Sequence, residues 1–436
     1  MDVEIFFKSP LKGEIEVPGD KSISHRAIFI SALAEGKSKI KNFLYADDCL
    51  KTVDLVRSLG VYINFESENE VIVEGANLKN FKEPEDIIYA GNSGTTVRIG
   101  SGILASLPFL SILTGDESLR KRPMKRIVEP LRKMGAKIFG RKNNSYLPLV
   151  IKGGKLKPIS YKLPIASAQV KSCILLAGIF CEGKTEVIEP YLSRDHTERM
   201  LRFFGAFLER EGLKVNIYGR GKLSSQEIVI PGDFSSAAYF IVGALIKEGS
   251  EILIKNVGIN PTRIGLIDVL KRMGAHIEIL NKREISNEEV ADIYVKSSKL
   301  KAIKLNEKEI VPRMIDEFPI LFVAAAKAEG ISEIRNIKEL RVKESDRISS
   351  MAEGLRKFGV NVEELEDGII IEGRDSFLSC QCNSFNDHRV AMALSILALS
   401  NFFKTKILNI DCINVSFPNF FKILKNLSPS SLIEFT

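Results

Sequence analysis

Hydrophobic residues along this chain recur at helical spacing after short polar segments. Within residues 19–36, for example, Ile23, Ala27, Ile30 and Ala34 would lie on one face of a helix whose first turn is polar. The same design recurs, so we predict six apolar helices that begin near Asp20, Asn92, Ser167, Asp233, Asp316 and Asp387. Their starts lie about 70 residues apart, which is typical of a structural repeat.

A second series, of glycines, interleaves with these helices. Each glycine follows a predicted helix and precedes an alternating or β-branched run; the five are Gly60, Gly135, Gly205, Gly274 and Gly359. Glycine ends a helix readily because it adopts a left-handed backbone without a clash from Cβ. The run that follows is typical of a strand. Together the two series predict an α/β fold built from six units of about 70 residues.

Two interruptions divide the six units into two groups of three. The shortest spacing surrounds Pro231 and Gly232, and the first helix begins directly after a strand-like segment that ends at residues 17–19. We therefore expect the chain to cross between domains at both places. Residues 1–19 and 233–436 would form a discontinuous domain, and residues 20–232 would form an inserted domain.

The composition is that of an ordinary globular chain. Hydrophobic residues make up 45% of the 436 residues and charged residues 27%, and the net charge of +7 comes from scattered basic residues. No basic run indicates a nucleic-acid partner, and no apolar segment is long enough for a membrane span or a signal peptide. We therefore expect a cytoplasmic protein whose partners are small anionic molecules.

The six cysteines predict neither disulfides nor a metal site. Only Cys380 and Cys382 are close in sequence, and no histidine or second cysteine pair completes a zinc-binding spacing. We therefore expect a protein without a bound metal.

One phosphate-binding motif matches in the wrong context. Residues 178–185, GIFCEGKT, fit the P-loop pattern, but a working P-loop follows a strand and opens a helix. Here the segment closes the helix predicted from Ser167 and precedes the strand-like sequence TEVIEP. We therefore discard the match.

Cationic side chains gather at or near the predicted helix starts and in the adjoining loops. They are Lys21, Arg26, Arg98, Arg122, Lys171, Arg194, Lys343, Arg347 and Arg389, and Ser22 accompanies them. A single such cation is more typical of a solvated surface. Helix N-termini and cations at equivalent points of six units favour one cleft that binds several negative charges.

Three titratable residues stand beside these cations. Asp316 is either a helix cap or a catalytic carboxylate, and the sequence does not separate the two. Glu344 lies between Lys343 and Arg347, where neighbouring charges can tune a functional pKa. His388 can titrate near neutral pH, although a capping or core role fits the pattern at least as well.

Eight sequence motifs occur along the chain in an order that is known from one protein family. They are GDKSISHR, GNSGTTVR, RPM, SAQVKS, SRDHTERM, DEFP, RVKESDR and NDHRVAM, and the resemblance that they carry spans the chain from Gly19 to about Phe420. In this order they resemble the 3-phosphoshikimate 1-carboxyvinyltransferase (EPSP synthase) family. The resemblance implies two pseudo-symmetric domains, each of three βαβαββ units in an inside-out barrel, with the active site in a cleft that closes on its substrates.

The resemblance also implies a reaction. Members of the family move the enolpyruvyl group of phosphoenolpyruvate to the 5-hydroxyl of shikimate 3-phosphate and release phosphate. This is a step of the shikimate pathway toward chorismate and the aromatic amino acids, and glyphosate inhibits it. No metal or organic cofactor takes part, and we expect a monomer with these two small-molecule substrates.

The site residues of the family carry over motif by motif. The resemblance assigns shikimate 3-phosphate to Lys21, Ser22, Arg26, Ser167, Ala168, Gln169, Ser193, Asp316 and Lys343. It assigns phosphoenolpyruvate to Lys21, Gly94, Arg122, Gln169, Arg347 and Arg389. In catalysis it implies that Asp316 takes the proton of the 5-hydroxyl, that Glu344 protonates the methylene carbon, and that Lys21 contacts both substrates.

Three positions depart from the pattern of the family. Ala168 replaces a serine of the phosphate site, Glu339 stands where some members have an asparagine, and Val415 stands where many have a lysine that reaches phosphoenolpyruvate. We expect backbone N–H groups or Arg194 to compensate for Ala168. The cation missing at Val415 is either absent or supplied from elsewhere.

Two other functions compete with this interpretation. The related transferase that acts on UDP-N-acetylglucosamine uses a cysteine on a mobile loop, but residues 115–125 contain none. A non-catalytic module that binds RNA or a small anion would need the cations but not the pair Asp316 and Glu344. The retained residues therefore favour the shikimate-type transferase.

Overall fold

The computed structural model describes residues 1–77, 79–219, 221–401 and 403–436. The strands are β1 (Val3–Phe6), β2 (Lys12–Glu16), β3 (Glu35–Lys41), β4 (Tyr62–Ser67), β5 (Glu70–Ala76), β6 (Ile88–Tyr89), β7 (Leu110–Thr114), β8 (Lys137–Gly140), β9 (Tyr146–Lys152), β10 (Ser160–Lys162), β11 (Lys184–Ile188), β12 (Leu208–Glu211), β13 (Lys214–Tyr218), β14 (Glu227–Val229), β15 (Glu251–Gly258), β16 (His276–Ile285), β17 (Glu288–Lys296), β18 (Lys304–Leu305), β19 (Ile331–Ile334), β20 (Asn361–Leu365), β21 (Gly368–Glu372), β22 (Gln381–Asn383), β23 (Thr405–Leu408) and β24 (Leu432–Phe435). The helices are α1 (Lys21–Leu33), α2 (Asp47–Ser58), α3 (Gly94–Leu104), α4 (Lys125–Met134), the single turn α5 (Arg141–Asn144), α6 (Ala168–Gly178), α7 (His196–Phe203), α8 (Phe234–Ile246), α9 (Gly265–Arg272), α10 (Phe318–Lys327), α11 (Arg347–Lys357), α12 (His388–Leu397) and α13 (Phe420–Leu427).

The strands form six four-stranded sheets that share one topology. Their orders are β14-β3-β5-β4, β6-β7-β9-β8, β10-β11-β13-β12, β2-β15-β17-β16, β18-β19-β21-β20 and β22-β23-β1-β24. In each sheet the first two strands are parallel, and the third strand runs antiparallel to the second. One helix lies between the two parallel strands of a typical unit and another precedes its hairpin. The predicted α/β fold of repeated βαβαββ units is therefore confirmed.

The predicted helix starts and ends lie where the residue pattern placed them. The side chains of Asp20, Ser167, Asp233 and Asp387 each accept a hydrogen bond from the first turn of a helix, and Ser93 does so one residue after Asn92. All five glycines of the second series have a left-handed backbone, with φ between 82° and 112°. The sixth unit differs, because α13 ends at Ser428 without a glycine.

The chain divides into two compact units. The terminal unit comprises Met1–Pro18, Pro231–Arg283 and Glu289–Thr436, and the inserted unit comprises Gly19–Ile230 with Glu284–Glu288. Two strands, β2 and β14, lie next to the points where the chain passes from one unit to the other. In sequence β2 precedes α1, but it pairs with β15 of the terminal unit, whereas β14 precedes α8 and pairs with β3 of the inserted unit.

Each unit is organised around three apolar helices. In the inserted unit α3 packs against α1 and α6, and in the terminal unit α8, α10 and α12 pack against one another. All thirteen residues of α8 are buried. Small side chains such as Ala237, Ala238 and Gly243 allow these helices to approach closely. These helices are apolar on all sides after their first turn, so their polar residues lie mainly at their N-terminal ends.

The discarded P-loop match lies between a helix and a strand. Gly178 is the last residue of α6 and Lys184 is the first residue of β11. This order is the reverse of a working P-loop, so the segment is a helix-to-strand connection.

Candidate active site

Lys21 is the first residue of α1 in the inserted unit. Its Nζ lies 3.2 Å from Oδ2 of Asp48, and both side chains are only partly exposed. The helix starts here because Asp20 accepts a hydrogen bond from the backbone N–H of Ile23 at 2.9 Å. The cation therefore stands at the positive end of the α1 dipole, where an anion is favoured.

Arg26 lies one turn further along α1 and is only 3% exposed. Its guanidinium donates to Oγ1 of Thr197 at 2.7 Å, to Oγ of Ser172 at 2.9 Å and to the carbonyl of Ser22 at 2.8 Å. Burial lowers its pKa to about 10. The charge of Arg194 contributes to this lowering of the pKa, so a second cation lies close to Arg26. Whether Arg26 binds a substrate carboxylate stays a prediction.

Gly94 begins α3 between two guanidinium groups. A Cβ at this position would lie 3.0 Å from Nη1 of Arg98 and 3.5 Å from Nη1 of Arg122. Arg98 donates to Oε1 of Gln169 at 2.8 Å, and Gln169 donates in turn to Oγ1 of Thr95 at 3.0 Å. The absence of a side chain at Gly94 allows a ligand to approach the backbone closely beside these two cations.

Arg98 lies beside Gly94, but sequence reasoning assigned it no specific role. The helix spacing placed Arg98 among the cations at or near the predicted helix starts, but the family resemblance did not assign a ligand to Arg98. The available signal was its position four residues after Gly94, which is one helical turn and therefore the same face of α3.

Arg122 is held in the loop before α4 and is buried. It donates to the carbonyl of Asn92 at 3.3 Å, to the Asn92 side chain and to Oγ of Ser118 at 3.3 Å. Asn92 is fixed by a 2.7 Å hydrogen bond to Oδ2 of Asp116. Arg122 and Gly94 are thus brought together by the segment that precedes α3.

The start of α6 carries the predicted phosphate motif. Ser167 caps the helix by accepting from the N–H of Val170 at 3.4 Å, and Ala168 is the first helical residue. The carbonyl of Ala168 accepts a 2.6 Å hydrogen bond from Ser172. Backbone N–H groups at a helix start lack partners within the helix and can bind phosphate oxygens, so the predicted phosphate site would not need a hydroxyl at position 168.

Ser193 is buried and its hydroxyl donates to Oε1 of Glu189. The same carboxylate accepts from the N–H of Ser193 at 3.2 Å. Ser193 is therefore hydrogen-bonded to a carboxylate of its own unit, and its contact with a substrate phosphate stays a prediction.

Lys171 belongs to a buried ionic network behind Ser193. Its side chain is 0% exposed, and Nζ lies 3.0 Å from Glu189 and 2.7 Å from Glu198. Arg210 contacts the same two carboxylates at 2.8 and 3.0 Å. Two carboxylates neutralise Lys171, so it braces the loop that carries Ser193 and is not one of the cations offered to an anion.

Arg347 organises the site residues of the terminal unit and is 1% exposed. Its guanidinium lies 2.5 Å from Oε2 of Glu344, 2.8 Å from Oδ2 of Asp387 and 3.5 Å from Oδ1 of Asp316. Burial opposes its charge, but the carboxylates outweigh burial and raise its pKa above the ordinary value. The predicted acid and base therefore share one cation.

Asp316 precedes α10 without capping it. The residue that flanks the helix, Glu317, makes no side-chain capping hydrogen bond, whereas Asp316 contacts Nη2 of Arg389 at 3.5 Å as well as Arg347. Arg389 also donates to the backbone carbonyl of Asp316 at 3.2 Å. The structure thus decides against the helix-cap alternative for Asp316.

Lys343, His388 and the two departing positions not yet described, Glu339 and Val415, complete the predicted set. Glu339 lies 3.7 Å from Nζ of Lys343, and burial lowers the pKa of this lysine. Val415 ends a short 3-10 helix, Ile410–Val415, and is half-buried. His388 is buried in the first turn of α12.

Arg263 is a buried residue that sequence reasoning missed. It donates to Oε1 of Glu317 at 2.8 Å, to Oδ1 of Asp233 at 3.1 Å and to Oγ of Ser235 at 2.6 Å. These contacts tie the starts of α8 and α10 together directly beside Asp316. Its partners are distant in sequence, so no local pattern identifies it.

Within residues 1–77, 79–219, 221–401 and 403–436, no group of three or more His, Cys, Asp and Glu side chains is arranged to hold a metal ion. In the same part of the chain, no helix is both long and apolar enough to cross a membrane.

The chain was compared with known families and curated proteins. The family model for EPSP synthase (3-phosphoshikimate 1-carboxyvinyltransferase) matches residues 7–424. A 3-phosphoshikimate 1-carboxyvinyltransferase from Carboxydothermus hydrogenoformans is 53% identical over 421 residues, which are 97% of this chain and 98% of that protein. One from Petrotoga mobilis is 49% identical over 430 residues, or 98% of this chain and 99% of that protein.

Solved structures agree with these relatives. An EPSP synthase from Acinetobacter baumannii superimposes with a TM-score of 0.88 at 44% identity and covers 100% of both chains. The enolpyruvyl transferase NikO from Streptomyces tendae has a TM-score of 0.80 at 17% identity, with 100% of this chain and 98% of that chain covered, and so shows a shared fold. Ordered motifs, whole-chain identity and fold point the same way, and the chain belongs to the EPSP synthase family of 3-phosphoshikimate 1-carboxyvinyltransferases.

Proposed function

We propose that the residues at the helix starts of both units act together in the family's reaction. In that reaction the enolpyruvyl group of phosphoenolpyruvate moves to the 5-hydroxyl of shikimate 3-phosphate, and inorganic phosphate leaves. The observation that carries the assignment is the contact of Arg347 with both Asp316 and Glu344. One buried cation thereby holds two carboxylates of opposite catalytic roles at fixed positions.

The proposed ligands of shikimate 3-phosphate come from both units. They are Lys21, Ser22, Arg26, Ser167, the backbone of Ala168, Gln169, Ser193, Asp316 and Lys343. The start of α6 supports the phosphate assignment because its backbone N–H groups and dipole favour an anion. Arg26 supports the carboxylate assignment, since a guanidinium fork suits a planar carboxylate.

The proposed ligands of phosphoenolpyruvate are mostly arginines. They are Lys21, Gly94, Arg122, Gln169, Arg347 and Arg389. Arg122 and Arg389 are nearly buried, so they can bind a phosphate or carboxylate with little screening by solvent. The two contacts from Asp316 to Arg347 and Arg389 are 3.5 Å long and can yield to a stronger anionic ligand.

Asp316 and Glu344 supply the proton transfers in this proposal. Glu344 protonates the methylene carbon of phosphoenolpyruvate, which makes the adjacent carbon cationic. The 5-hydroxyl oxygen adds to that carbon as Asp316 takes the hydroxyl proton. The resulting tetrahedral intermediate then loses phosphate from this carbon, and the Glu344 carboxylate takes a proton back from the new methyl group, which restores the double bond. Lys21 and the arginines stabilise the charge that gathers on the departing phosphate.

The acid–base assignment predicts the behaviour of Asp316→Asn. Turnover should fall by roughly 100-fold or more, the scale of general acid–base catalysis, while shikimate 3-phosphate still binds. Phosphate release with both substrates measures turnover, and titration calorimetry measures binding. Asp375→Asn, a change at an exposed aspartate, is the matched control and should keep normal turnover. Near-normal turnover in folded Asp316→Asn removes Asp316 from the mechanism.

The same assay separates the alternative functions. A binding module would bind both substrates without releasing phosphate, and a transferase of the other branch would release phosphate with UDP-N-acetylglucosamine.

We further propose that the enzyme works as a monomer in the cytoplasm. All six cysteines are free thiols, which is typical of a reducing compartment. Light scattering of the purified protein tests the monomer.

A further inference from the structure

Two cysteines lie together on the edge of one sheet of the terminal unit. The Sγ atoms of Cys380 and Cys382 are 3.5 Å apart. Cys382 lies in β22 and Cys380 directly precedes this strand, where its carbonyl accepts a hydrogen bond from the N–H of Lys406 in β23 at 3.0 Å. Residues two apart on such a paired segment face the same side, and the Cys382 thiol on that side contacts the carbonyl of Gly354 in α11 at 3.8 Å. Cys382 is buried and Cys380 is partly exposed. One thiol of the pair is therefore accessible and the other is protected.

The Cys380 thiol has a lowered pKa and the Cys382 thiol a raised pKa, which is the difference that thiol–disulfide exchange requires. The hydrogen bond from Cys382 lowers the pKa of Cys380 against the effect of burial, and the charge of Lys357 lowers it further. The same hydrogen bond, together with burial, raises the pKa of Cys382. An accessible thiol with a lowered pKa attacks a disulfide more readily, and a buried neighbour can then resolve the mixed disulfide.

The backbone at this place can adjust to a covalent bond. A disulfide needs its sulfur atoms about 2.05 Å apart, so the two thiols must approach. Strand β22 has only three residues, lies at the edge of its sheet and pairs with β23 on one side. A short edge strand is held by few hydrogen bonds and can shift at modest cost.

We propose that Cys380 and Cys382 form a modification site that low-molecular-weight disulfides oxidise reversibly. The Cys380 thiolate attacks one sulfur of the small disulfide, whose S–S bond breaks and releases one thiol. The Cys382 thiol then loses its proton and attacks Sγ of Cys380, which releases the second thiol and leaves an intramolecular disulfide. Two protein thiols are oxidised, and one small disulfide is reduced to two thiols.

The pair is connected to the phosphoenolpyruvate ligands, and this part of the proposal rests on the proposed function. Cys382 precedes the turn that leads to Asp387, in which the N–H of Asp387 bonds the carbonyl of Ser384 at 3.0 Å. Asp387 holds Arg347 at 2.8 Å and caps α12, which carries Arg389. Movement of β22 should therefore displace Asp387 and loosen both arginines.

The test uses oxidised glutathione and a mass measurement that does not depend on activity. Trypsin should release residues 375–389 as one peptide, because no lysine or arginine lies between Arg374 and Arg389. Oxidation should lower the mass of this peptide by two hydrogen atoms. It should also raise the Michaelis constant for phosphoenolpyruvate by roughly threefold or more, since a misplaced arginine weakens ground-state binding. Dithiothreitol should reverse both effects.

Two variants make the outcome decisive. Cys380→Ser should abolish both effects, whereas Cys412→Ser, at the other partly exposed cysteine, should retain them. A peptide that stays reduced, or carries only glutathione, overturns the modification site. A disulfide that forms without changing the Michaelis constant overturns its connection to Arg347. Turnover of the reduced enzyme reports separately on the proposed function.

Discussion

Gly94 shows how much of the site depends on one missing methyl group. The space a Cβ would occupy is bordered by Nη1 of Arg98 at 3.0 Å and Nη1 of Arg122 at 3.5 Å. A methyl group at 3.0 Å would press on the Arg98 guanidinium, which also holds Gln169. Because Arg122 and Gln169 are proposed ligands of phosphoenolpyruvate, the methyl would narrow the volume available to any ligand longer than the substrate.

Gly94→Ala should therefore discriminate between phosphoenolpyruvate and glyphosate. Glyphosate is the longer molecule, so we expect its affinity to fall more than that of the substrate. The expected differential is about 1–3 kcal/mol, the scale of methyl-sized discrimination in a pocket. Inhibition constants and Michaelis constants for wild type and variant measure it.

The control for this substitution is Gly221→Ala. A Cβ at Gly221 meets nothing within 4 Å, so this variant should bind both ligands as wild type does. Equal losses of glyphosate and phosphoenolpyruvate affinity in Gly94→Ala, or a wild-type enzyme that already resists glyphosate, would contradict the expectation.

The sequence predicted single residues well where their role is local. Gly60 and the other helix-ending glycines follow from backbone geometry alone, and Asp20 and Asp387 cap helices because short polar side chains do so generally. The role of Asp316 could not be settled in this way. Its alternatives are separated by contacts with Arg347 and Arg389, which lie 31 and 73 residues further along the chain.

At the scale of elements, the starts of α8 and α10 depend on a brace that no local pattern reveals. The guanidinium of Arg263 joins Asp233 at the cap of α8 to Glu317, the residue next to Asp316. All three side chains are buried, so a change in one leaves charges without compensation. We infer that this brace fixes the position of Asp316 relative to Arg347.

Arg263→Lys should therefore lower turnover without comparable loss of substrate binding. Lysine keeps the charge but cannot span three partners with a planar fork, so Asp316 should be less well placed. We expect kcat to fall by roughly tenfold while the Michaelis constant for shikimate 3-phosphate changes little, because misplacing a catalytic group mainly affects the transition state. Steady-state kinetics measures both constants.

A second substitution separates positioning from stability. Arg263→Met should destabilise the fold by roughly 3–5 kcal/mol, since it leaves buried carboxylates unpaired. Arg283→Lys, at an exposed arginine 3.7 Å from Asp292, is the matched control and should leave both kcat and the melting temperature unchanged. Unaltered kcat in folded Arg263→Lys would show that the brace serves stability alone.

For the molecule as a whole, the six-unit repeat could be predicted from the sequence, but the pairing of strands that are distant in sequence could not. Six polar helix starts are visible in sequence because each is a local event of similar design. The pairing of β1 with β23 and β24 joins the two ends of the chain, and β2 and β14 exchange sheets at the crossings. Such pairings depend on tertiary packing, so periodicity carries no information about them. The short segment Glu284–Glu288, which groups with the inserted unit, was missed for the same reason.

The distribution of the proposed ligands over two units leads to a prediction about substrate binding. Lys21, Gly94 and Arg122 belong to the inserted unit, whereas Arg347 and Arg389 belong to the terminal unit. If one ligand binds both groups, it favours any arrangement of the units in which it reaches both, and we expect it to shift the population toward that arrangement. Small-angle X-ray scattering should show a smaller radius of gyration with shikimate 3-phosphate and an unreactive phosphoenolpyruvate mimic together than without ligand. Arg347→Gln, which weakens the contribution of the terminal unit, should reduce the change. An unchanged radius of gyration at ligand concentrations that calorimetry shows to be saturating would contradict closure by these ligands.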